Sequence, residues 1–287
     1  MKARAESFSL PRGAITAAGH GSRVVVWLKR AVLFGVACVL WMPSVAGQGR
    51  LDRVLAGGQL RVCIWPDYHG ITFRNPRSLE LRGIDIDNAR ALAQDLGVQV
   101  MFVDSSFAKL VDDLLTDRCD LAMFAVGITA ARAEKLRFTQ PHLASDIFAI
   151  TTRTNRRITT WADIDRPGVV VAVARGTLHE PVMRERLKLA ELRVLDSPQA
   201  REQEVLSGRA DVFMTDYPFS RRLLDSVDWA RLISPPERFH MTPYGWAMAP
   251  GDEAFAVRAD AFLSRIKVDG RLREHARRYG LETIVAP

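Results

Sequence analysis

Arg132 and Asp216 are the two residues whose surroundings point most directly to chemistry. Arg132 follows a continuous apolar run, residues 121–126, through Gly127, Ile128 and Thr129. A run of that length suits a buried parallel strand. Gly127 frees the backbone beyond it, and Thr129 can cap a short helix through Arg132 to Leu136. A strand, a small residue and a helix start bring backbone N–H groups and one guanidinium to a strand end. Ligands bind at such edges of open α/β sheets, and N–H groups beside an arginine make a carboxylate receptor. Asp216 ends a second strand, residues 210–215, and presents a carboxylate at another such edge. It also suits the N-cap of a helix opening Tyr217-Pro218-Phe219. Gly176-Thr177-Leu178-His179-Glu180 opens a further helix, whose N-terminus is a ready anion site. Thr177 and Glu180 stand at capping-box spacing, and the alternative is that Glu180 offers its carboxyl group to a cleft.

Other chemistries find less support. His20, His69, His142, His179, His240 and His275 are scattered without metal-ligand spacing. No phosphate-binding glycine loop or nucleophile elbow occurs. The net charge of +7 could suggest nucleic acid, but residues 1–47 hold six cations against Glu6 alone, a net +5 that leaves only +2 elsewhere. No basic stripe interleaved with aromatics remains, so no nucleic-acid partner is expected.

Lys29-Arg30 precedes an apolar stretch, residues 31–47, that ends in small residues around Ser44, Ala46 and Gly47. Basic flank, apolar core and small residues form the pattern of a secretory signal over 1–47, cut near 46–48. Export to the periplasm then leaves Cys63 and Cys119 as an even pair beside predicted neighbouring strands, and a disulfide between them is expected.

The elements that position these residues alternate. Strand 60–65, a helix closed by Gly97, strand 98–103, a helix opened by Ser105 or Ser106, and strand 121–126 form one α/β series. In that second helix Phe107, Leu110, Val111 and Leu114 share a face. A second series runs through strands 169–174, 192–195 and 210–215. Strands 148–152 and 244–249 are expected to cross between the two. The outcome is two parallel-sheet α/β lobes around a cleft: residues 48–150 with 240–287, and residues 151–239.

Ile128, Thr129, Arg132, Phe138, Thr139 and Pro141 stand where the extracellular solute-binding proteins of family 3 carry Ile-Thr-x-x-Arg followed by Phe-Ser/Thr-x-Pro. Leu60-Arg61-Val62, Asp67-Tyr68, Gly83-Ile84-Asp85-Ile86-Asp87 and Gly208-Arg209-Ala210-Asp211-Val212 leading to Asp216 extend the likeness. The chain resembles that family over about residues 59–283. The resemblance implies a two-lobed type II periplasmic-binding-protein fold, and a monomer that captures an amino acid or related carboxylate and delivers it to a membrane ABC permease. It implies that Arg132 holds the ligand carboxylate and Asp216 its ammonium, from opposite lobes. Either charge leaves water readily only when it is met, so the ligand favours closure. By the same resemblance Tyr68 and Phe107 sandwich the ligand, Ala125 and Gly127 offer backbone N–H groups, and Thr177 and His179 complete the set. Trp65 is a further pocket candidate. No cofactor or metal is implied.

The chain also resembles periplasmic cyclohexadienyl dehydratases, in Arg61-Val62-Cys63, Asp67-Tyr68 and Arg118-Cys119-Asp120. Their helix start is Gly-Thr-Asn-Glu, with the carboxyl as acid, where this chain has Gly176-Thr177-Leu178-His179-Glu180; Phe107 stands where they have Trp. The expectation is a binding protein, with a prephenate or arogenate dehydratase acting through Glu180 as the alternative.

Overall fold

Seven consecutive buried residues, Leu121–Gly127, form the middle of a sheet, as an uninterrupted apolar run requires. The computed structural model describes residues 49–287; the expected leader, its cleavage site and Cys38 lie outside them. Gln59–Ile64 lies parallel to Leu121–Gly127 on one side and to Gln99–Asp104 on the other. Thr242–Met248 runs antiparallel on the far side of Leu121–Gly127 and pairs in turn with Arg137–Phe138 and Leu143–Ser145. A second sheet places Val170–Ala174 parallel to Glu191–Leu195 and Val212–Asp216. Ile147–Thr152 is antiparallel to Val212–Asp216 and is flanked by Ala230–Ile233. Among the described residues no helix is long and apolar enough to cross a membrane.

The segments expected to cross lie instead within the sheets. Ile147–Thr152 belongs wholly to the second sheet and Thr242–Met248 wholly to the first. We therefore place the switch between lobes at Asp146 on the outward pass and between Ile233 and Thr242 on the return. The Asp146 carboxylate joins the two passes, accepting from the N–H groups of Ile147 (2.7 Å), Phe239 (2.9 Å) and His240 (2.7 Å).

The functional strand ends are fixed from behind. Gly83 opens the helix Ile84–Leu96 at φ +136°, where a Cβ would stand 2.1 Å from the Ile71 carbonyl oxygen; only glycine fits. That turn buries Asp85 completely. Its carboxylate accepts from Ala125 N–H (2.8 Å) and the Trp246 indole (3.2 Å), and lies 2.9 Å from His142 Nε2. Burial pushes the Asp85 carboxyl up, but the His142 ring and these donors outweigh it and hold its pKa below the usual range. Cys63, in Gln59–Ile64, and Cys119, two residues before Leu121–Gly127, form a disulfide with Cα atoms 5.6 Å apart, both buried.

Candidate functional site

The carboxyl ends of the two central strands face one small cavity, of about 20 Å³, between the lobes. Trp65, Tyr68, Phe107, Ala125 and Tyr244 line it from the first lobe, and Thr177, His179, Arg201, Thr215 and Asp216 from the second. Of the residues singled out in the sequence, Tyr68, Phe107, Ala125, Thr177, His179, Asp216 and Trp65 are thus brought together. Arg132 and Gly127 stand behind this wall.

Asp216 ends its strand and caps the helix Tyr217–Ser226, its Oδ1 accepting from Phe219 N–H at 3.2 Å. Pro218 in the first turn suits this start. Oδ2 accepts from the hydroxyls of Tyr68 and Tyr244, the latter at 2.9 Å. Both tyrosines belong to the first lobe, so one carboxylate ties the lobes together. Burial pushes the Asp216 carboxyl up, against the pull of the tyrosine hydroxyls and the Phe219 N–H. Burial, then the charge of Asp216, keeps both tyrosine hydroxyls protonated as donors.

Arg132 sits in the short helix Ala130–Ala133, capped by Thr129. Its guanidinium donates to the Gly127 carbonyl (2.9 Å) and across the cleft to the Gly176 carbonyl (3.0 Å). It lies 5.6 Å from the Phe107 ring centroid. Burial lowers its pKa to about 10, so it stays charged at neutral pH. Gly176 allows this approach: at φ +75° its Cβ would lie 2.7 Å from Ala108 Cα.

Three sequence expectations change here. Of the expected backbone receptor, Ala125 N–H is already engaged by Asp85, and nearby Ile128 N–H bonds Pro243 O and Arg132 N–H bonds Thr129. Ala125, at φ +51°, lines the cavity through its surface and not through that donor. Phe107 lies outside its expected helix, which runs only Leu110–Leu115, and packs with Trp65 (5.6 Å), Tyr68 (6.1 Å) and Phe124 (5.0 Å). Of the two expected caps, Ser105 bonds Asp113, while Ser106 Oγ accepts from Lys109 N–H (3.3 Å) in the turn that leads into that helix.

The third change concerns the helix His179–Arg186. The Thr177 hydroxyl donates to Ala174 O (2.7 Å) and does not cap. Glu180 turns back to the Gly176 N–H (2.9 Å) and pairs with Arg184 (3.0 Å), away from the cavity. His179 is the helix residue that faces it. Burial, with Arg201 nearby, lowers its pKa to about 3, so the ring is neutral.

Sequence reasoning missed Arg201, Thr215 and Tyr244. Arg201 follows the Ser197 cap of the helix Pro198–Leu206 and shares its buried face with Val205. A charged residue four positions from an apolar one, on a core-facing stripe, was the available signal.

His69 and Arg222 meet at the rim, where Arg222 Nε donates to His69 Nδ1 at 3.0 Å across the cleft. Burial and then the Arg222 charge lower the His69 pKa from 6.5 to about 4. Opening frees the ring and returns its pKa toward the ordinary value. The bond's contribution to closure is full above about pH 6.5 and is lost as pH falls toward 4. Small-angle scattering of the ligand-free protein should show expansion over that interval. His69→Gln, which keeps an acceptor, should flatten the dependence; an unchanged profile in the variant excludes His69 as its source.

Comparison with known proteins adds the following. The family described as bacterial extracellular solute-binding proteins, family 3, matches residues 60–282. A cyclohexadienyl dehydratase of Pseudomonas aeruginosa is 30% identical over 85% of this chain and 92% of its own. The L-cystine-binding protein TcyJ of Escherichia coli is 26% identical over 86% of this chain and 93% of its own. Among solved structures, the ancestral amino acid-binding protein AncCDT-1, described as a precursor of cyclohexadienyl dehydratase, superposes with a TM-score of 0.73. It is 29% identical and covers 80% of this chain and 99% of its own.

Proposed function

The chain belongs to family 3 of the bacterial extracellular solute-binding proteins, and from that premise we propose that it captures an amino acid or related small carboxylate between its lobes. It acts in the periplasm as a monomer, residues 1–47 serving as its export signal, and hands its ligand to an ABC-type importer. The observation that carries this reading is the Asp216 carboxylate, buried at the cleft and bonded by Tyr68 and Tyr244 from the opposite lobe. Asp216 receives the ligand ammonium and the remaining N–H groups of Arg132 its carboxylate. Binding therefore adds bonds across the same cleft that the tyrosines already bridge. The aromatic group of Trp65, Tyr68 and Phe107 encloses the ligand's apolar part. The backbone amide of Ala125, engaged by Asp85, has no part in this scheme.

A second reading, a dehydratase acting on prephenate or arogenate, is favoured by the 30% identical relative of that name. The position of Glu180 weighs against it, because its carboxylate serves the Gly176 N–H and Arg184 outside the cavity. Purified protein incubated with prephenate is expected to release no phenylpyruvate. Glu180→Gln, which can still accept from Gly176 N–H, should keep amino-acid binding and lose less than about 1 kcal/mol of stability. A general acid at this position would instead make phenylpyruvate formation fall roughly 10²–10⁴-fold in the variant. Phenylpyruvate formed by the parent protein, at any rate above the uncatalysed one, overturns the binding-only reading.

A further inference from the structure

We infer that the ligand carries a second anionic group and that Arg201 receives it, so that the cavity selects amino dicarboxylates over neutral and cationic amino acids. The inference rests on the amino-acid capture proposed above and names its substrate class.

Arg201 is 3% exposed and lines the cavity. One N–H group is fixed to the Met214 carbonyl at 2.6 Å. The guanidinium carbon lies 4.8 Å and 4.5 Å from the ring centroids of Phe213 and Phe219, so the head group is held in place. Among the described residues its Nε has no partner, and neither has Thr215 Oγ1. Buried polar atoms are nearly always bonded. Two without partners, from two separate elements, belong to residues on the second-lobe side of one cavity and are available to a polar group of the ligand.

Charge then decides which group. Among the described residues Arg201 forms no salt bridge; the charge of its neighbour Glu202 acts on it from outside the cavity, in a separate groove lined also by His69 and Arg222. Burial lowers the Arg201 pKa only to about 10, so it remains a cation. Among the described residues Asp216 is the single carboxylate lining the cavity, Arg201 is the guanidinium that lines it and acts on Asp216, and Arg132, the carboxylate receptor proposed above, adds a second guanidinium from behind the wall. With all three ionised, the groups that meet the ligand carry one positive charge in excess, Glu202 lying outside the cavity. An amino acid with a neutral side chain is itself neutral and leaves that excess unmatched in a low-dielectric space. A lysine-like or arginine-like side chain doubles it. A ligand with two carboxylates and one ammonium cancels it. Rejection of the cationic ligand is by repulsion, which makes for strong discrimination.

Calorimetry on the full chain with matched pairs tests this: L-glutamate against L-glutamine, L-aspartate against L-asparagine, L-arogenate against L-phenylalanine, and L-arginine. The dicarboxylate of at least one pair should bind about tenfold or more tightly than its neutral counterpart, with L-arginine weaker still. Arg201→Gln should weaken that dicarboxylate by about 30-fold or more and bring the pair close together. Neutral or cationic ligands bound as well as the dicarboxylates by the parent protein overturn the assignment while leaving amino-acid capture intact. A folded Arg201→Gln protein with parental dicarboxylate affinity also overturns it. Binding of none of these compounds removes the capture reading and this one with it. If the variant does not fold, the parent's pairwise preferences decide.

Discussion

Asp216→Ala should weaken amino-acid binding by roughly 2–5 kcal/mol, about 30- to 5,000-fold. The substitution leaves the ligand ammonium unmatched and also strips the acceptor from two buried hydroxyls, those of Tyr68 and Tyr244. Each orphaned hydroxyl disfavours the closed form by about 1–3 kcal/mol. Asp216→Asn separates the terms, since its side-chain oxygen can still cap Phe219 N–H while the charge is gone. It should therefore keep the helix cap, lose less stability than Asp216→Ala and still lose affinity. Calorimetry with thermal melts on both variants reads the two effects. Parental affinity in a folded Asp216→Ala protein removes Asp216 from the site.

The second large effect is on stability. Replacing Cys63 and Cys119 together by Ala opens a loop spanning a sequence separation of 56. Loop-closure entropy alone then predicts a loss of about 4 kcal/mol. Both residues are fully buried, so alanine is preferred to serine, whose hydroxyl would lack a partner. Urea unfolding should show a lower midpoint for the double variant, and reductant should shift the parent by a similar amount. A parent protein insensitive to reductant, with a variant of equal midpoint, refutes a stabilising bridge.

Much of the architecture was legible because burial leaves direct traces in composition. Leu121–Gly127 is apolar throughout and is a central strand; Asp216 ends an apolar strand and stands at a sheet edge. The cysteine pair followed from export and an even count, and the structure bridges it. The details that escaped are those set by partners distant in sequence. Ala125 offers its N–H to Asp85, forty residues earlier, and nothing local to Ala125 reveals that. Phe107 fits a helical stripe with Leu110 and Leu114, yet the helix begins only at Leu110. Glu180 suited a capping box first and a cleft second, and its pairing with Gly176 N–H and Arg184 depends on a rotation of one helix that spacing alone does not resolve. Arg201 was overlooked because a single arginine in a helix is ordinarily taken as solvated, and its two aromatic neighbours lie in other elements.

The staple at Asp146 has a consequence for the order in which the chain can be assembled. It brings the entry to and exit from the second sheet side by side, so that all strands of that sheet fall within one unbroken segment, residues 147–233. A ribosome has therefore released every strand of the second sheet before the first sheet can be finished. The first sheet must wait for Thr242–Met248, which pairs with a strand more than a hundred residues upstream. Until then the apolar edge of Leu121–Gly127 stays open, and the returning chain must close a long loop to cover it. The N-terminal half of the molecule is thus the later half to mature.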